Sequence, residues 1–248
     1  MTQVQARGTT VSESSATNAE TDATAENSAT HTETARKAET VTAPVRIGAR
    51  QRILDAAGAL FPALGYRAVS ADRIIAAAGI TKVTFYRHFP TKDDLIVAYL
   101  DAESARAQKS VARLFAPEGS DIESRAPEEL PVRIVTAEQA ELFLSGFARV
   151  IGVESCRPGF RGCVFLNAAA EYAEPEHPIR RAVLTHRDWL LGTLADAVRA
   201  LGIAPAEPVA RQLLMLRDGA MFAGYLDTPE QIETQLRTAG RAILRAGA

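Results

Sequence analysis

Hydrophobic residues recur every three or four positions along almost the whole chain from Val45 onward, which is the period of an amphipathic α-helix. The first such stripe consists of Ile53, Leu54, Ala57, Leu60, Phe61 and Leu64. Gly65 follows it directly and predicts the end of that helix. Alternation typical of a strand is missing, since the segment Val132–Val135 is too short and adjoins a helical pattern.

Capping residues predict where the next helices begin and end. The predicted helices are Ala71–Ala78, Lys82–His88 and Lys92 to about Phe115. Ser70, Thr81 and Thr91 stand immediately before them, and their hydroxyls suit the N-cap position. Gly79 closes the first of the three, and Pro90 ends the second.

Residues 117–131 are rich in Pro, Gly, Ser and Glu and predict a loop. Five more helices are predicted at about 132–152, 160–173, 178–201, 206–226 and 229–246. Pro178 and Pro229 fall at first-turn positions, where the missing N–H costs nothing. The pattern therefore predicts an all-α protein of about nine helices.

Residues 1–44 differ from the rest of the chain because Thr, Ala, Ser and Glu dominate them and no aromatic residue occurs. Such a segment buries too little apolar surface to offset its ordering entropy, so we expect a disordered tail. A functional tail and an incorrectly assigned start codon are the alternatives. Because neither a signal peptide nor a long apolar run is recognisable and only two cysteines occur, the expected location is cytoplasmic, with no membrane partner.

Charge is distributed unevenly along the chain. The formal net charge of −2 argues against a DNA-binding protein if it is taken as an average. Residues 45–92 nevertheless hold eight basic and only two acidic residues, a net charge of +6, so the other 200 residues carry −8. The eight are Arg46, Arg50, Arg52, Arg67, Arg73, Lys82, Arg87 and Lys92. This basic segment also contains two short predicted helices joined by a glycine-containing turn, the spacing of a helix-turn-helix.

The residues of this segment carry a family resemblance. The pattern that carries it matches without insertion or deletion. It consists of Phe61, Gly65-Tyr66, Ser70-x2-Arg73-Ile74-Ile75-x2-Ala78-Gly79-Ile80-Thr81 and then Lys82-Val83-Thr84-Phe85-Tyr86-Arg87-His88-Phe89-Pro90-Thr91-Lys92. The stretch closely resembles the N-terminal domain of the TetR family of transcriptional repressors. After the tail expected at 1–44, the resemblance implies a DNA-binding domain at 45–92 and a helical effector-binding and dimerisation domain at 93–248.

The predicted DNA-contacting residues are Ser70, Arg73, Lys82, Val83, Thr84, Tyr86, His88 and Lys92. The resemblance places Thr84, Tyr86 and Lys92 at positions that contact DNA in the family. Lys82 suits guanine O6/N7, and Val83 suits a thymine methyl group. Ser70 and Arg73 are expected to contact the sugar-phosphate backbone of DNA and so to position the protein on it.

Several of these residues also have a structural interpretation. His88 is either a phosphate donor or a packed core histidine. Arg46, Arg50 and Arg52 either contact phosphate or line a solvated helix face. Five residues are expected to form one small hydrophobic nucleus, namely Phe61, Ile74, Ile75, Phe85 and Phe89.

The C-terminal region is rich in Met and aromatic residues, which form either an ordinary core or the wall of a ligand cavity. The resemblance implies a cavity for a small effector, expected to be apolar. The candidate lining residues are Phe143, Phe165, Asn167, Glu171, His186, Trp189, Met215, Asp218 and Tyr225. Asn167 and Glu171, one helical turn apart, either hydrogen-bond to each other or face that ligand.

The helices at 206–226 and 229–246 are expected to form the interface of a homodimer, since their apolar residues cover a wide arc. The alternative is that they close the core of one subunit. Ile232 and Leu236 belong to the stripe expected at this interface.

No catalytic motif, cofactor motif or trusted metal-ligand spacing is recognisable, so no catalytic residue, cofactor or metal is expected. The predicted function is a homodimeric transcriptional repressor that binds a palindromic DNA operator and is released by a small molecule. A transcriptional activator, a helical small-molecule-binding protein and an enzyme that uses the C-terminal cavity remain the alternatives.

Overall fold

The computed structural model describes residues 47–130, 133–157, 159–224 and 226–248, without the side chain of Pro127. The predicted tail at 1–44 and Tyr225 lie outside the described residues. The described residues from 47 to 248 belong to one compact unit.

The described residues form nine α-helices and no strand, which confirms the all-α prediction. The helices are α1 (Ala49–Leu64), α2 (Ala71–Ala78), α3 (Lys82–His88), α4 (Lys92–Arg113), α5 (Ala137–Ser155), α6 (Val164–Glu171), α7 (Pro178–Ala200), α8 (Ala206–Ala223) and α9 (Pro229–Gly247). A short 3-10 helix, Pro127–Glu129, lies in the loop between α4 and α5.

The boundaries of α2 and α3 coincide with the prediction because capping side chains define them locally. The hydroxyl of Ser70 accepts a hydrogen bond from the N–H of Arg73, and that of Thr81 accepts one from Thr84. Gly79 ends α2 in the left-handed conformation, with φ of 61°, which favours glycine.

The start of α5 was predicted wrongly, at about 132 instead of 137. The helix begins after Thr136, which forms a capping box with Gln139: each side chain accepts a hydrogen bond from the other residue's backbone N–H. The apolar residues before Thr136 had extended the helical pattern. One of them, Ile134, is buried although it belongs to a non-helical segment. The helix predicted at 160–173 is likewise shorter, Val164–Glu171.

Two hydrophobic clusters hold the fold together. One combines α1–α4 with α6 and parts of α5, α7, α8 and α9. The second lies mainly among α5, α7 and α8, with residues of α4 and α9 at its edge. Since the first cluster joins residues of α1–α3 to residues of α6, these helices share a continuous apolar core.

Candidate DNA-binding surface and ligand cavity

Apolar side chains on the inner face fix the orientation of α3. Phe85 and Ile74 are fully buried, and Phe61 and Phe89 nearly so. Ile75 is half-buried and packs against the same cluster. The predicted nucleus is therefore present, and it leaves the opposite face of α3 towards solvent.

The outer face of α3 combines apolar and hydrogen-bonding groups. Val83 is 78% exposed, although Phe85 two residues later on the same helix is fully buried. Tyr86 is 42% exposed, and its ring packs edge-on against buried Phe85 at 5.2 Å between centroids. Phe85 thus holds the Tyr86 ring in place while part of it stays accessible. Lys82 and Arg87 on the same helix are also exposed, whereas Thr84 and His88 are half-buried.

Lys82 forms an ion pair with Asp72 across the helix-turn-helix, with 3.2 Å between Nζ and Oδ1. Both side chains are largely exposed, so the pair is worth little in water and can be exchanged for another acceptor. Ser70 and Arg73 are exposed at the start of α2.

The ammonium group of Lys92 is engaged within the protein. Its Nζ donates to the carbonyl oxygens of Tyr66 (3.1 Å), Arg67 (3.3 Å) and Val69 (3.2 Å). The three N–H groups of the ammonium are thus matched by three carbonyl oxygens of the loop between α1 and α2. Lys92 is the first residue of α4, so these hydrogen bonds join that loop to the N-terminal end of α4. Sequence reasoning missed this arrangement because the acceptors are backbone atoms that lie 23 to 26 residues away.

The arginines of α1 also contact the helix-turn-helix. The guanidinium of Arg50 lies over the ring of Phe89, 5.3 Å from its centroid. Arg52 donates to the carbonyl oxygen of Gly79 at 3.3 Å. Arg46 lies outside the described residues.

A cavity of about 790 Å³ is lined by residues of α1, α4, α5, α7, α8, the segment before α6 and the first turn of α6. Its volume is in the range of small-molecule sites. Four of the predicted ligand-contacting residues line it: Phe143, Phe165, His186 and Trp189. A smaller cavity of about 410 Å³, mainly lined by leucines, lies among α5, α7, α8 and α9.

Other residues expected in the cavity lie elsewhere. Met215 is 69% exposed on the outer face of α8, because the face of α8 that contains Leu213 and Leu214 is the one buried in the core. Asn167 donates to the carbonyl oxygen of Arg161 at 2.7 Å and does not pair with Glu171. For Met215, Asn167 and Glu171, the expected position in the cavity wall is thus corrected.

His186 is a buried, neutral member of the cavity wall. Its ring stacks on Phe165, with 3.6 Å between centroids and an interplanar angle of 2°, and lies 5.5 Å from the ring of Trp189. Nδ1 is 3.0 Å from the hydroxyl of Ser104. Burial, aided by the positive charge of Arg217, lowers the pKa of His186 to about 3.

Arg217 also lines the cavity, although the sequence pattern did not single it out. Its Nη1 donates to Oδ1 of Asp218 at 3.0 Å and to Sγ of Cys163 at 3.4 Å. Asp218 does not line the cavity and accepts a second hydrogen bond, from Nη1 of Arg187 at 2.7 Å.

Glu171 connects α6 to the DNA-binding domain. Its carboxylate accepts hydrogen bonds from the backbone N–H groups of Tyr66 (2.9 Å) and Arg67 (2.7 Å). Gly65 permits this approach: it has φ of 88°, and a Cβ there would lie 3.1 Å from Glu171 Oε1. At the other end of α6, the hydroxyl of Tyr66 donates to the carbonyl oxygen of Val164 at 3.0 Å. One residue of the α1–α2 loop therefore contacts both ends of α6.

The two C-terminal helices have different environments. Met215, on the outer face of α8, is 69% exposed, and Leu226, just beyond the end of α8, is 81% exposed. Leu184 of α7 is 40% exposed. In contrast, Ile232 and Leu236 of α9 are buried against α5 and α8 of the same chain. The stripe of α9 that was expected at a dimer interface thus closes the core of the subunit.

Within the described ranges, no group of three or more His, Cys, Asp or Glu residues could hold a metal ion. None of the helices described is long and apolar enough to cross a membrane.

Comparison with known proteins agrees with this geometry. A family profile described as "Bacterial regulatory proteins, tetR family" matches residues 53–99, which include most of α1 and all of α2 and α3. A search of curated proteins finds no significant match.

Solved structures with the same fold extend the match to most of the chain. A TetR-family transcriptional regulator from Streptomyces coelicolor is 40% identical, with a TM-score of 0.65 over 80% of this chain and 89% of that one. A putative TetR transcriptional regulator from Streptomyces avermitilis is 24% identical, with a TM-score of 0.61 over 81% and 98% of the two chains. A TetR transcriptional regulator from Chloroflexus aurantiacus is also 24% identical, with a TM-score of 0.58 over 77% and 92%.

The exposed second helix of a helix-turn-helix in an all-α chain defines a DNA-binding transcriptional regulator. More specifically, the 40% identity over most of both chains shows that this protein belongs to the TetR family of transcriptional regulators.

Proposed function

We propose that the protein is a homodimeric cytoplasmic repressor that binds a palindromic DNA operator and is released when a small effector enters the 790 Å³ cavity. The observation that carries the DNA-binding part is the outer face of α3, where Val83 is 78% exposed between basic and hydroxyl-bearing residues. An exposed aliphatic side chain at the front of a helix of this size suits contact with a thymine methyl group in the major groove.

The roles proposed for the other residues follow from their exposure. Lys82 exchanges its ion pair with Asp72 for the acceptors of a guanine, and Thr84 contacts a neighbouring base or phosphate. The hydroxyl of Tyr86 donates to a phosphate, held there by the packing of its ring on Phe85. Ser70, Arg73 and His88 complete the contacts to the DNA backbone from α2 and the end of α3.

Lys92 contributes to the same surface in a second way. Its ammonium group joins three carbonyl oxygens of the α1–α2 loop to α4, which keeps α2 at a constant distance from the cavity helices. All three N–H groups of the ammonium are used in these contacts, so its charge and the adjacent N-terminus of α4 attract a phosphate without a direct hydrogen bond from Lys92.

Dimerisation is proposed through α7 and α8. Leu184, Met215 and Leu226 expose apolar surface that a second copy would cover. Gly192 and Gly219 leave open space around their missing Cβ atoms and permit close approach of the partner's helices. Two helices from each subunit would form a four-helix bundle about a two-fold axis, which presents two copies of α3 to successive major grooves.

The proposed release mechanism uses α6. Val164 and Phe165, in the first turn of α6, line the cavity. Glu171, the last residue of α6, accepts hydrogen bonds from the backbone N–H groups of Tyr66 and Arg67. A ligand that displaces Phe165 shifts α6 and, through Glu171, the loop that leads into α2. The population of the DNA-binding conformation then falls, and the difference between the ligand's affinities for the two conformations sets how far.

Selection of bound sequences from random double-stranded DNA, followed by gel-shift titration, tests the DNA-binding proposal. We expect an inverted repeat with half-sites one helical turn apart or a multiple of it. Lys82→Ala should relax the preference at one base pair per half-site at a cost of about 1–3 kcal/mol. Selected sequences without any symmetry would contradict the homodimer, and unselective binding would contradict the role of α3.

A reporter gene that carries the selected operator over its promoter distinguishes a repressor from an activator. Expression of the protein should lower transcription from this promoter. The Tyr86→Phe variant is the control, since it should repress less at the same protein level. A rise in transcription would contradict the proposed repressor role.

A further inference from the structure

Arg217 has an incomplete set of hydrogen-bond partners although it is buried. Its side chain is only 11% exposed, and its fully buried Nε has no hydrogen-bond partner in the described structure. Leaving a buried donor without an acceptor costs free energy, and more so when the group is charged. The rest of the side chain reaches the cavity wall, so an anionic ligand can offset the charge there, although it cannot reach the enclosed Nε.

The local charge balance is positive at the same place. Asp218 is shared between the guanidinium groups of Arg187 (2.7 Å) and Arg217 (3.0 Å), so two cations meet one carboxylate. The remaining acceptor of Arg217 is the Sγ of Cys163, and sulfur accepts only weakly. Arg217 thus presents positive charge to the cavity that its protein partners do not fully neutralise.

Other arginines in the cavity wall have different environments. Arg106 and Arg157 pair with Glu103 and Glu154, which also line the cavity. Arg113 pairs with Glu123. Arg161 is exposed at the cavity rim, where water screens its charge. Arg217 is therefore distinguished from these four by its burial and by its unsatisfied Nε.

The surroundings of Arg217 also define the uncharged part of a ligand. Phe165, Trp189 and Met221 line the same cavity, and they offer aromatic and apolar surface. His186, stacked on Phe165, is neutral because burial lowers its pKa to about 3, so it supplies no second positive charge. A neutral apolar molecule would fill this space but leave the charge of Arg217 only partly neutralised.

We propose that the effector is an organic monoanion, whose charged group pairs with Arg217 and whose aromatic or aliphatic body packs against Phe165 and Trp189. This inference rests on the proposed function in one respect, namely that the cavity is the effector site. It replaces the expectation of an apolar effector with that of an amphipathic one.

Two fluorescent probes that differ mainly in one charged group test the proposal. 8-Anilinonaphthalene-1-sulfonate is an aromatic monoanion, and N-phenyl-1-naphthylamine is the same framework without the sulfonate. Trp189 is the only tryptophan of the chain and lines the cavity, so quenching of its emission reports binding at this site. The anionic probe should bind one molecule per chain, at least about 10-fold more tightly than the neutral one.

The Arg217→Gln variant should weaken binding of the anionic probe about 10- to 100-fold and change binding of the neutral probe less than about 2-fold. Arg161→Gln removes the same charge at the exposed rim, and it should change the anionic probe's affinity less than about 3-fold. Equal affinity of the two probes for the native chain would overturn the proposal. Equal weakening of both probes by Arg217→Gln, or an equal effect of Arg161→Gln on the anionic probe, would also do so.

Circular dichroism checks that Arg217→Gln folds, and a second pair of ligands covers the case in which it does not. Decanoate should displace the anionic probe from the native chain at concentrations at which 1-decanol does not. Displacement by both at the same concentration would contradict the anion preference.

Operator binding, measured separately by gel shift without probes, distinguishes the two proposals. If the native chain selects no operator but prefers the anionic probe through Arg217, the proposed function fails and the anion site stands. If operator binding is present and the two probes bind equally, only the present inference fails.

Discussion

Glu171 and Tyr66, which are 105 residues apart in the chain, are joined by a 2.9 Å hydrogen bond from the backbone N–H of Tyr66 to the carboxylate. The second carboxylate oxygen accepts the N–H of Arg67 at 2.7 Å, and the Nε of Arg67 donates back to the carbonyl oxygen of Glu171 at 2.8 Å. The end of α6 and the start of the helix-turn-helix are therefore held by three hydrogen bonds. In the proposed release mechanism, these bonds carry a shift of α6 to the loop that precedes α2.

Glu171→Gln is expected to weaken this connection. An amide has one acceptor oxygen, so one of the two N–H groups would face the amide NH2 and lose its partner. We expect the free energy of unfolding to fall by about 1–2 kcal/mol, measured by urea denaturation. In an effector titration, release of operator DNA should also become less complete. Glu174→Gln, an exposed change three residues later, is the matched control and should leave both quantities unchanged. Unaltered stability in Glu171→Gln would contradict a stabilising role of these hydrogen bonds.

Lys92→Ala should affect stability as well as DNA binding. Three carbonyl oxygens of the α1–α2 loop lose their common donor, and we expect a loss of about 1–2 kcal/mol in the free energy of unfolding. Operator affinity should fall at all sequences, and the dependence of log K on log salt should become shallower by about one unit. A variant with native stability would show that the intramolecular contacts of Lys92 contribute little.

Tyr86→Phe separates DNA binding from stability. The hydroxyl belongs to a partly exposed side chain, while the ring that packs on Phe85 is retained. We expect operator binding to weaken about 3- to 10-fold, with an unchanged melting temperature. Because the hydroxyl is uncharged, the salt dependence should stay the same. Native affinity in a gel-shift titration would exclude a phosphate contact by this hydroxyl.

Met215→Glu should convert the dimer into a monomer. It places a charge on the exposed apolar face of α8 that we propose as the subunit interface, where a second copy of the same charge faces it across the two-fold axis. Sedimentation velocity should show the mass of one chain, and operator affinity should fall more than about 10-fold. Val153→Glu on α5 introduces the same charge at another exposed apolar residue and should leave the dimer intact. Dissociation by Val153→Glu alone would place the interface elsewhere.

His186 should make the protein less stable in mild acid. Burial, aided by the charge of Arg217, lowers its pKa in the folded state to about 3, below the value of about 6.5 in the unfolded chain. The neutral ring contributes its full stability above pH 6.5, and this contribution is lost progressively as the pH falls towards 3, since the unfolded chain takes up the proton first.

Comparison with His186→Gln isolates this contribution. Between pH 7 and pH 5, the native chain should lose about 1–2 kcal/mol more of its free energy of unfolding than the variant, measured by urea denaturation at each pH. Parallel pH profiles of the two proteins would show that His186 titrates normally.

The helix-turn-helix could be predicted from sequence almost residue by residue because short-range signals determine it. Ser70, Thr81 and Thr91 cap helices through hydrogen bonds to backbone groups three residues ahead, and Gly79 adopts a conformation that other residues avoid. The apolar spacing likewise identified the buried side of α3. Here each residue and its partner are neighbours in the chain, so the pattern contains the information.

The cavity wall could be predicted only in part, because its composition resembles that of an ordinary core. Phe143, Phe165, His186 and Trp189 were identified by residue type. Met215 has the same apolar character but lies on the opposite face of its helix. Periodicity identifies the faces of α8 without showing which of them a neighbouring helix covers.

The sequence by itself determined the all-α class, the limits of α2 and α3 and the concentration of positive charge at residues 45–92. Only the tertiary structure decided that Glu171 and Lys92 hold the α1–α2 loop and that Arg217 lies buried in a cavity with an unsatisfied N–H. The physical reason is that these properties depend on partners 23 to 105 residues away, many of them backbone atoms. Such partners have no side-chain identity that a sequence pattern could reveal.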